Sequence, residues 1–122
     1  MIDVNNLRIY KLSREVSRDI LDRAKIFPKE ERYGLTSQMK RAVISIGANI
    51  AEGTGRSTIK DCLRFLYIAL GSLKETLHYV EISREADFIS EKIFLELKGK
   101  LEKLRKMIIS FIKNSSPLLQ SP

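Results

Sequence analysis

Residues 35–64, LTSQMKRAVISIGANIAEGTGRSTIKDCLR, constrain the fold of this chain more than any other stretch. Its first apolar residues recur at steps of four, four, three and four, so they share one face of a helix. They are Leu35, Met39, Val43, Ile46 and Ile50. Gly53 and Gly55 are predicted to end this helix, because glycine tolerates positive φ. Thr58 and Asp61 have the spacing of a capping box for the next helix. The stretch therefore predicts a helical hairpin.

Helical periodicity continues before the hairpin. Apolar residues recur every four positions from Leu12 to Ala24, which predicts one buried stripe on a first helix. Asn5 or Asn6 is predicted to cap its N-terminus. The helix is expected to end before Pro28, because the residue that precedes a proline is pushed out of the helical region.

Two longer helices are predicted after the hairpin. The third is apolar on two faces and so needs more than one neighbour. The fourth, capped by Ser90, has apolar residues from Phe94 to Phe111 at alternating steps of three and four, the seam of a bundle helix. We predict an all-α single domain, residues 1–122, folded as an antiparallel up-down four-helix bundle. The helices are expected at about 6–26, 36–52, 58–84 and 90–113, with residues 114–122 as a loose tail.

The charge of the chain favours anionic partners. Its 22 Lys and Arg outnumber its 15 Asp and Glu, which gives a net charge of +7, concentrated in residues 1–56 and 88–122. Such a balance favours nucleic acid or acidic protein surfaces. The single cysteine suits a reducing compartment, and we find neither a signal peptide nor an apolar run that could cross a bilayer. A cytoplasmic protein without membrane contact is the expectation.

Residues 27–57, FPKEERYGLTSQMKRAVISIGANIAEGTGRS, and 64–73, RFLYIALGSL, carry a family resemblance. They closely resemble the bacterial four-helix-bundle family of ribosomal RNA intervening-sequence proteins, which is similar to the accessory variability protein of diversity-generating retroelements. Ile9-Tyr10 departs from the Val-Trp pair common in the family. The resemblance implies a left-handed bundle, a ring-like homopentamer and no known catalysis. Through the accessory protein it also implies a basic surface for nucleic acid and a reverse transcriptase.

Five basic residues form the first candidate site, for contact with a phosphate backbone. They are Lys40, Arg41, Arg56, Lys60 and Arg64. The alternative is a solvated face neutralised by Asp61, or ion pairing between subunits. A second cluster on the fourth helix has the same two interpretations, with Glu96 and Glu102 as neutralising neighbours. It consists of Lys98, Lys100, Lys103, Arg105 and Lys106.

The end of the second helix is a candidate recognition site. Asn49, Glu52 and Arg56 could bind a ligand together, or Asn49 and Glu52 could bond locally and fix the helix register. Gly53 and Gly55 lack the spacing of a phosphate-binding loop and are interpreted as an interhelical turn.

The second apolar face of the third helix is the candidate subunit interface. It consists of Phe65, Ile68, Ser72, Tyr79 and Ile82. The alternative is that the other helices of the same chain cover this face completely.

Catalytic machinery is not evident in the sequence. Glu75 and His78 supply one Glu-x-x-His pair, but a dinuclear carboxylate site needs a second. Cys62 is interpreted as a packing residue. We therefore expect no catalytic residue, no metal and no cofactor, and we keep a metal-dependent enzyme only as a third hypothesis.

The first functional hypothesis is a non-enzymatic homo-oligomer that binds RNA or DNA by charge, as an accessory to a nucleic-acid-processing protein. Five copies would carry a charge of 5 × 7 = +35, so weak contacts repeated around a ring would gain strength through effective concentration. The alternative is a protein-interaction scaffold with an acidic partner and no nucleic-acid role.

Overall fold

A computed structural model describes residues 3–117 of the chain. Its four α-helices are α1 (Arg8–Ala24), α2 (Leu35–Thr54), α3 (Ile59–Glu85) and α4 (Glu91–Ser115). Short 3₁₀ turns at Val4–Asn6 and Lys29–Glu31 precede α1 and α2. Residues 3–117 contain no strand, so the predicted all-α fold is confirmed.

The helices pack in the order of the chain. Each contacts the next, and α1 closes the bundle against α4. Within residues 3–117, no close backbone contact joins α1 to α3 or α2 to α4, so these pairs lie diagonally across the core. The predicted antiparallel up-down four-helix bundle is therefore the observed architecture.

Side chains from all four helices fill one core, as the apolar periodicity predicts. The largest fully buried ones are Val16, Ile20, Val43, Ile46, Ile50, Leu66, Leu73, Val80, Leu101, Leu104 and Ile108. The seam of α4 differs from the prediction at its end, where Phe111 is only half-buried and Ile112 is buried. These burials fix the rotation of each helix about its own axis and so decide which polar side chains meet.

Two of the predicted helix caps are confirmed. The Thr58 hydroxyl accepts a bond of 3.1 Å from the backbone N–H of Asp61, and the Ser90 hydroxyl accepts one of 3.1 Å from Ile93. The asparagine cap predicted for α1 is wrong. Asp3 instead caps the preceding 3₁₀ turn by accepting from the Asn5 N–H, and α1 begins without a side-chain cap.

Each observed helix end lies within two residues of the position expected from the sequence. The first helix stops at Ala24, and Phe27 then turns into the core, where its ring lies 5.4 Å from that of Phe88. At the other end of the chain, α4 continues to Ser115. Residues 118–122 of the predicted loose tail lie outside the described residues.

Gly53 has a different role from the predicted one. Neither Gly53 nor Gly55 has positive φ, and Gly53 lies within α2. A Cβ atom on Gly53 would lie 3.0 Å from the Cys62 carbonyl oxygen and 3.0 Å from the Phe65 Cβ. At Gly53 the backbone of α2 therefore lies close against the first two turns of α3.

We predict that Gly53→Ala lowers the free energy of unfolding by about 1–2 kcal/mol, because the backbones of α2 and α3 must separate. Gly99→Ala is the matched control, since a Cβ there meets no atom within 4 Å. It should raise the free energy of unfolding by about 0.5–1 kcal/mol through helix propensity. Chemical denaturation at one protein concentration measures both. Equal stabilisation by the two substitutions would contradict the close approach at Gly53.

Candidate nucleic-acid interface

Two of the five predicted basic site residues are engaged by carboxylates. The Arg56 Nε donates to the Asp61 Oδ2 over 2.6 Å, and its Nη1 lies 3.1 Å from the Glu52 Oε1. The Arg64 Nε reaches the other oxygen of Asp61 over 3.0 Å. These hydrogen bonds, from Arg56 first and then Arg64, hold the pKa of Asp61 below its ordinary value. The two arginines and the carboxylates of Glu52 and Asp61 together carry no net charge.

The ring of Phe65 holds the same two arginines in place. The guanidinium carbon lies 5.1 Å from the ring centroid for Arg56 and 4.4 Å for Arg64. Cation–π contact of this kind adds to the ion pairs. We call Glu52, Arg56, Asp61, Arg64 and Phe65 the loop cluster. The cluster ties the α2–α3 turn together and leaves little charge for an external anion.

The other three predicted cations are free of acidic partners. Arg41 and Lys60 are exposed and Lys40 is half-buried. In residues 3–117 no carboxylate lies within 4 Å of any of them. They therefore remain available to an anion, unlike the arginines of the loop cluster.

Two acidic side chains of α1 form ion pairs with a lysine of α4. The Lys100 ammonium lies 3.1 Å from Asp19 and 3.5 Å from Glu15, and Asp19 also accepts from Arg23 over 2.8 Å. Arg23 in turn approaches Glu96 of α4 at 3.6 Å. The hydrogen bond to Asp19 is the main cause of the raised pKa of Lys100. These ion pairs line the α1–α4 contact.

This pairing leaves a row of cations on α1. Lys11, Arg14 and Arg18 follow at steps of three and four, so they lie on one face of the helix. The third acid of α1, Asp22, is 3.2 Å from Lys25. In the described part of the chain, no carboxylate lies within 4 Å of the three residues, which we call the α1 cation row. The sequence prediction missed this row, although its spacing was visible.

The α1 cation row borders an open groove between α1 and α2 of about 940 Å³. On the α2 side the lining includes Ile44, whose surface is 51% exposed, and Ala48. Tyr10 lines the groove next to Arg14, whose guanidinium carbon lies 5.7 Å from the ring centroid. Lys40 precedes Ile44 by four residues and so lies on the same face of α2, one turn away. Two carboxylates of α1, Glu15 and Asp22, also line the groove, and they pair with Lys100 and Lys25. The α1 side thus carries charges of both signs with the cations in excess, and the α2 side is apolar.

The second predicted basic cluster, on α4, is partly neutralised. Lys100 belongs to the α1–α4 ion pairs, and Arg105 lies 3.1 Å from Glu102. Lys98 lies over the ring of Phe94 at 5.7 Å. Lys103 and Lys106 are exposed, with no carboxylate of residues 3–117 within 4 Å.

Asn49 forms local bonds. Its amide donates to the Ser45 carbonyl over 2.8 Å and to the Ser45 hydroxyl over 2.9 Å, and that hydroxyl also bonds to Ser72 of α3 over 2.9 Å. Glu52 is bound to Arg56. The Asn49 amide nitrogen and the Glu52–Arg56 ion pair therefore bond within the bundle.

The predicted interface face of α3 is only partly covered by its own chain. Phe65, Ser72 and Tyr79 are half-buried, but Ile68 remains 43% exposed and Ile82 37% exposed. These positions follow at steps that keep one helical face towards solvent. The other helices thus leave two large aliphatic side chains of this face in water.

Residues considered for catalysis have ordinary structural surroundings. Glu75 accepts a bond of 3.2 Å from the Tyr79 hydroxyl, and the exposed His78 lies against the same ring. Burial raises the pKa of the Cys62 thiol, which disfavours the reactive thiolate. Within residues 3–117, no three His, Cys, Asp or Glu side chains are grouped as a metal site. No helix in that range has the length and hydrophobicity to cross a bilayer.

Known structures include a similar bundle. A crystal structure of a protein of unknown function from the S23 ribosomal protein family of Bacteroides thetaiotaomicron VPI-5482 matches with a TM-score of 0.80 and 25% sequence identity. The match covers 86% of this chain and 98% of that one. Comparison with functionally curated proteins gives no match.

A family model agrees with this structural likeness. The model described as 23S rRNA-intervening sequence protein matches residues 5–110, which include nearly all of the four helices. The chain therefore belongs to the 23S rRNA-intervening sequence protein family.

Proposed function

We propose that this protein is a non-enzymatic, homo-oligomeric helical bundle that binds nucleic acid without sequence preference, as an accessory factor to a nucleic-acid-processing protein. The observation that carries the proposal is the α1 cation row. Lys11, Arg14 and Arg18 lie side by side on the surface with no carboxylate partner in the described chain. A row of this kind binds phosphates by releasing the counterions condensed on the nucleic acid.

The cations that support the proposal differ from those the sequence favoured. Lys40, Arg41 and Lys60 remain candidates because no carboxylate of residues 3–117 pairs with them. Arg56 and Arg64 contribute less, since each would have to exchange a carboxylate for a phosphate. Contacts to phosphates orient a protein on the strand but do not read its sequence, so binding is expected to be sequence-independent.

Self-association is proposed through the α3 face. Ile68 and Ile82 leave apolar surface in water, and a second copy would bury it. Ser72, bonded to Ser45 of α2, lies one turn from Ile68 and gives the face a fixed polar group. The groove lies between α1 and α2, whereas the proposed interface lies on α3. Assembly and nucleic-acid binding therefore use different surfaces.

An acidic protein partner is the second candidate. The α1 cation row would also match a row of carboxylates on another protein, and Ile44 beside it offers apolar contact. Nuclease treatment would leave such a complex intact, whereas it would dissociate a complex that depends on bound nucleic acid.

We predict that the protein binds labelled RNA and DNA 20-mers of unrelated sequence with similar affinity at about 50 mM salt, and far more weakly at about 200 mM. The double variant Arg14→Gln/Arg18→Gln should lower the slope of log K against log salt by about 0.7 for each lost phosphate contact. Fluorescence anisotropy titrations measure both quantities.

Arg56→Gln/Arg64→Gln is the matched control for that experiment, because it also removes two arginines but from the loop cluster. Its salt slope should stay close to that of the unmodified protein. An equal decrease of the salt slope in both variants would contradict the placement of the site on α1. No binding at about 50 mM salt would contradict nucleic-acid binding altogether.

We predict a single oligomer in solution, five copies by family resemblance, when mass is measured by light scattering. Ile68→Glu should shift the mass towards the monomer, because it places a charge in the proposed interface. Leu95→Glu is the control, since Leu95 of α4 is 56% exposed but lies outside that face. A monomeric unmodified protein at all concentrations tested would rule out the assembly.

A further inference from the structure

From the α1–α2 groove we infer a preference for single-stranded over duplex nucleic acid. This inference rests on the proposed function and specifies its ligand. The groove has cations along α1 and an exposed aliphatic side chain, Ile44, along α2. A single strand has the same asymmetry, with phosphates on one side and unpaired base faces on the other.

The α1 side of the groove fits the charged part of such a strand. Lys11, Arg14 and Arg18 are separated by three and four residues, about 4.5 and 6 Å along the helix axis. Lys40 extends the positive charge beyond Ile44 on α2. No carboxylate of the described chain lies within 4 Å of these four cations, so each can face a phosphate without first breaking an ion pair. Glu15 and Asp22 also line the groove, but their carboxylates are paired with Lys100 and Lys25.

The α2 side and the end of the groove fit the bases. Ile44 is 51% exposed and Ala48 is exposed beside it, so both can gain contact with the flat face of a base. Tyr10 lines the groove with Arg14 against its ring. Aromatic and guanidinium planes are the groups on which unpaired bases stack.

The length of the groove sets the size of the ligand. Its lining extends from Tyr10 of α1 to Lys25, the residue that follows this helix, which is 15 steps along the chain or about 22 Å. At about 3.4 Å per nucleotide of a stacked strand, this accommodates roughly six nucleotides. A duplex exposes sugars and phosphates on its outside and keeps its base faces paired and stacked, so it cannot cover Ile44 in this way.

Charge alone predicts the opposite preference. Duplex DNA has a higher charge density than a single strand, and each of its phosphate contacts gives a steeper salt dependence, about 0.9 against 0.7. A protein that binds only through charge should therefore bind duplex at least as tightly. A preference for single strands requires contact with the bases, which the apolar side of the groove supplies.

The test compares 12-nucleotide RNA and DNA, each as a single strand and as a duplex, at one salt concentration. We expect the full-length protein to bind single strands at least about fivefold more tightly than duplexes, the effect of one base contact. Ile44→Ser should lower the affinity for single strands several-fold and leave duplex binding unchanged. Leu95→Ser removes an equally exposed aliphatic side chain from α4 and should change neither.

Further arms separate the possible failures. The inference would be overturned if the protein bound duplexes as tightly as single strands or more tightly. It would also be overturned if Ile44→Ser lowered the affinity for single strands and duplexes equally. Either result would leave the proposed function intact. Failure of both single strands and duplexes to bind at low salt would overturn the two together. Polyglutamate should compete weakly with a labelled single strand. If it displaced the labelled strand at the same concentration of charge as an unlabelled single strand does, the protein would recognise charge alone and the inference would be overturned. The more tightly bound of the RNA and DNA strands identifies the preferred sugar.

Discussion

The burial of four apolar seams in one core is the constraint on which the rest of the structure depends. Once Val16, Ile46, Leu73 and Leu104 point inwards, no helix can turn about its axis without exposing apolar surface to water. Every polar side chain is then committed to a neighbouring helix or to solvent. The charge pattern of the surface is thus a consequence of core packing.

On α1 this constraint decides which charged side chains find a partner. Asp19 and Glu15 pair with Lys100 of α4, whereas Arg14 and Arg18 have no carboxylate partner in residues 3–117, although Glu15 also lines the groove beside them. The α2–α3 turn shows the reverse, since Arg56 and Arg64 share Asp61 and cancel most of their charge. Two basic segments of similar composition therefore differ in their capacity to attract an anion. A basic residue is more available to an anion where the fold leaves it without an acidic partner.

Local sequence patterns predicted much of the fold and little of the site. Apolar periodicity identifies the helices and most of the core because a helix that buries one face must repeat near every 3.6 residues. Thr58 and Ser90 act as caps because their partners are three residues away. By contrast, Lys100 and Asp19 are 81 residues apart, and no local pattern shows that they meet. Gly53 was interpreted as a helix terminator because the neighbouring sequence does not show its close contact with Cys62. That contact depends on how α3 packs against α2.

Lysine-reactivity footprinting by mass spectrometry tests the central claim most directly, since it locates bound nucleic acid on the unmodified protein. Lys11 and Lys40 border the groove or lie one turn from it, whereas Lys74 and Lys92 are exposed elsewhere on α3 and α4. We predict that single-stranded RNA protects Lys11 and Lys40 from acetylation and leaves Lys74 and Lys92 as reactive as in the free protein. Uniform protection of all four lysines, or protection confined to Lys74 and Lys92, would contradict a binding surface on α1 and α2.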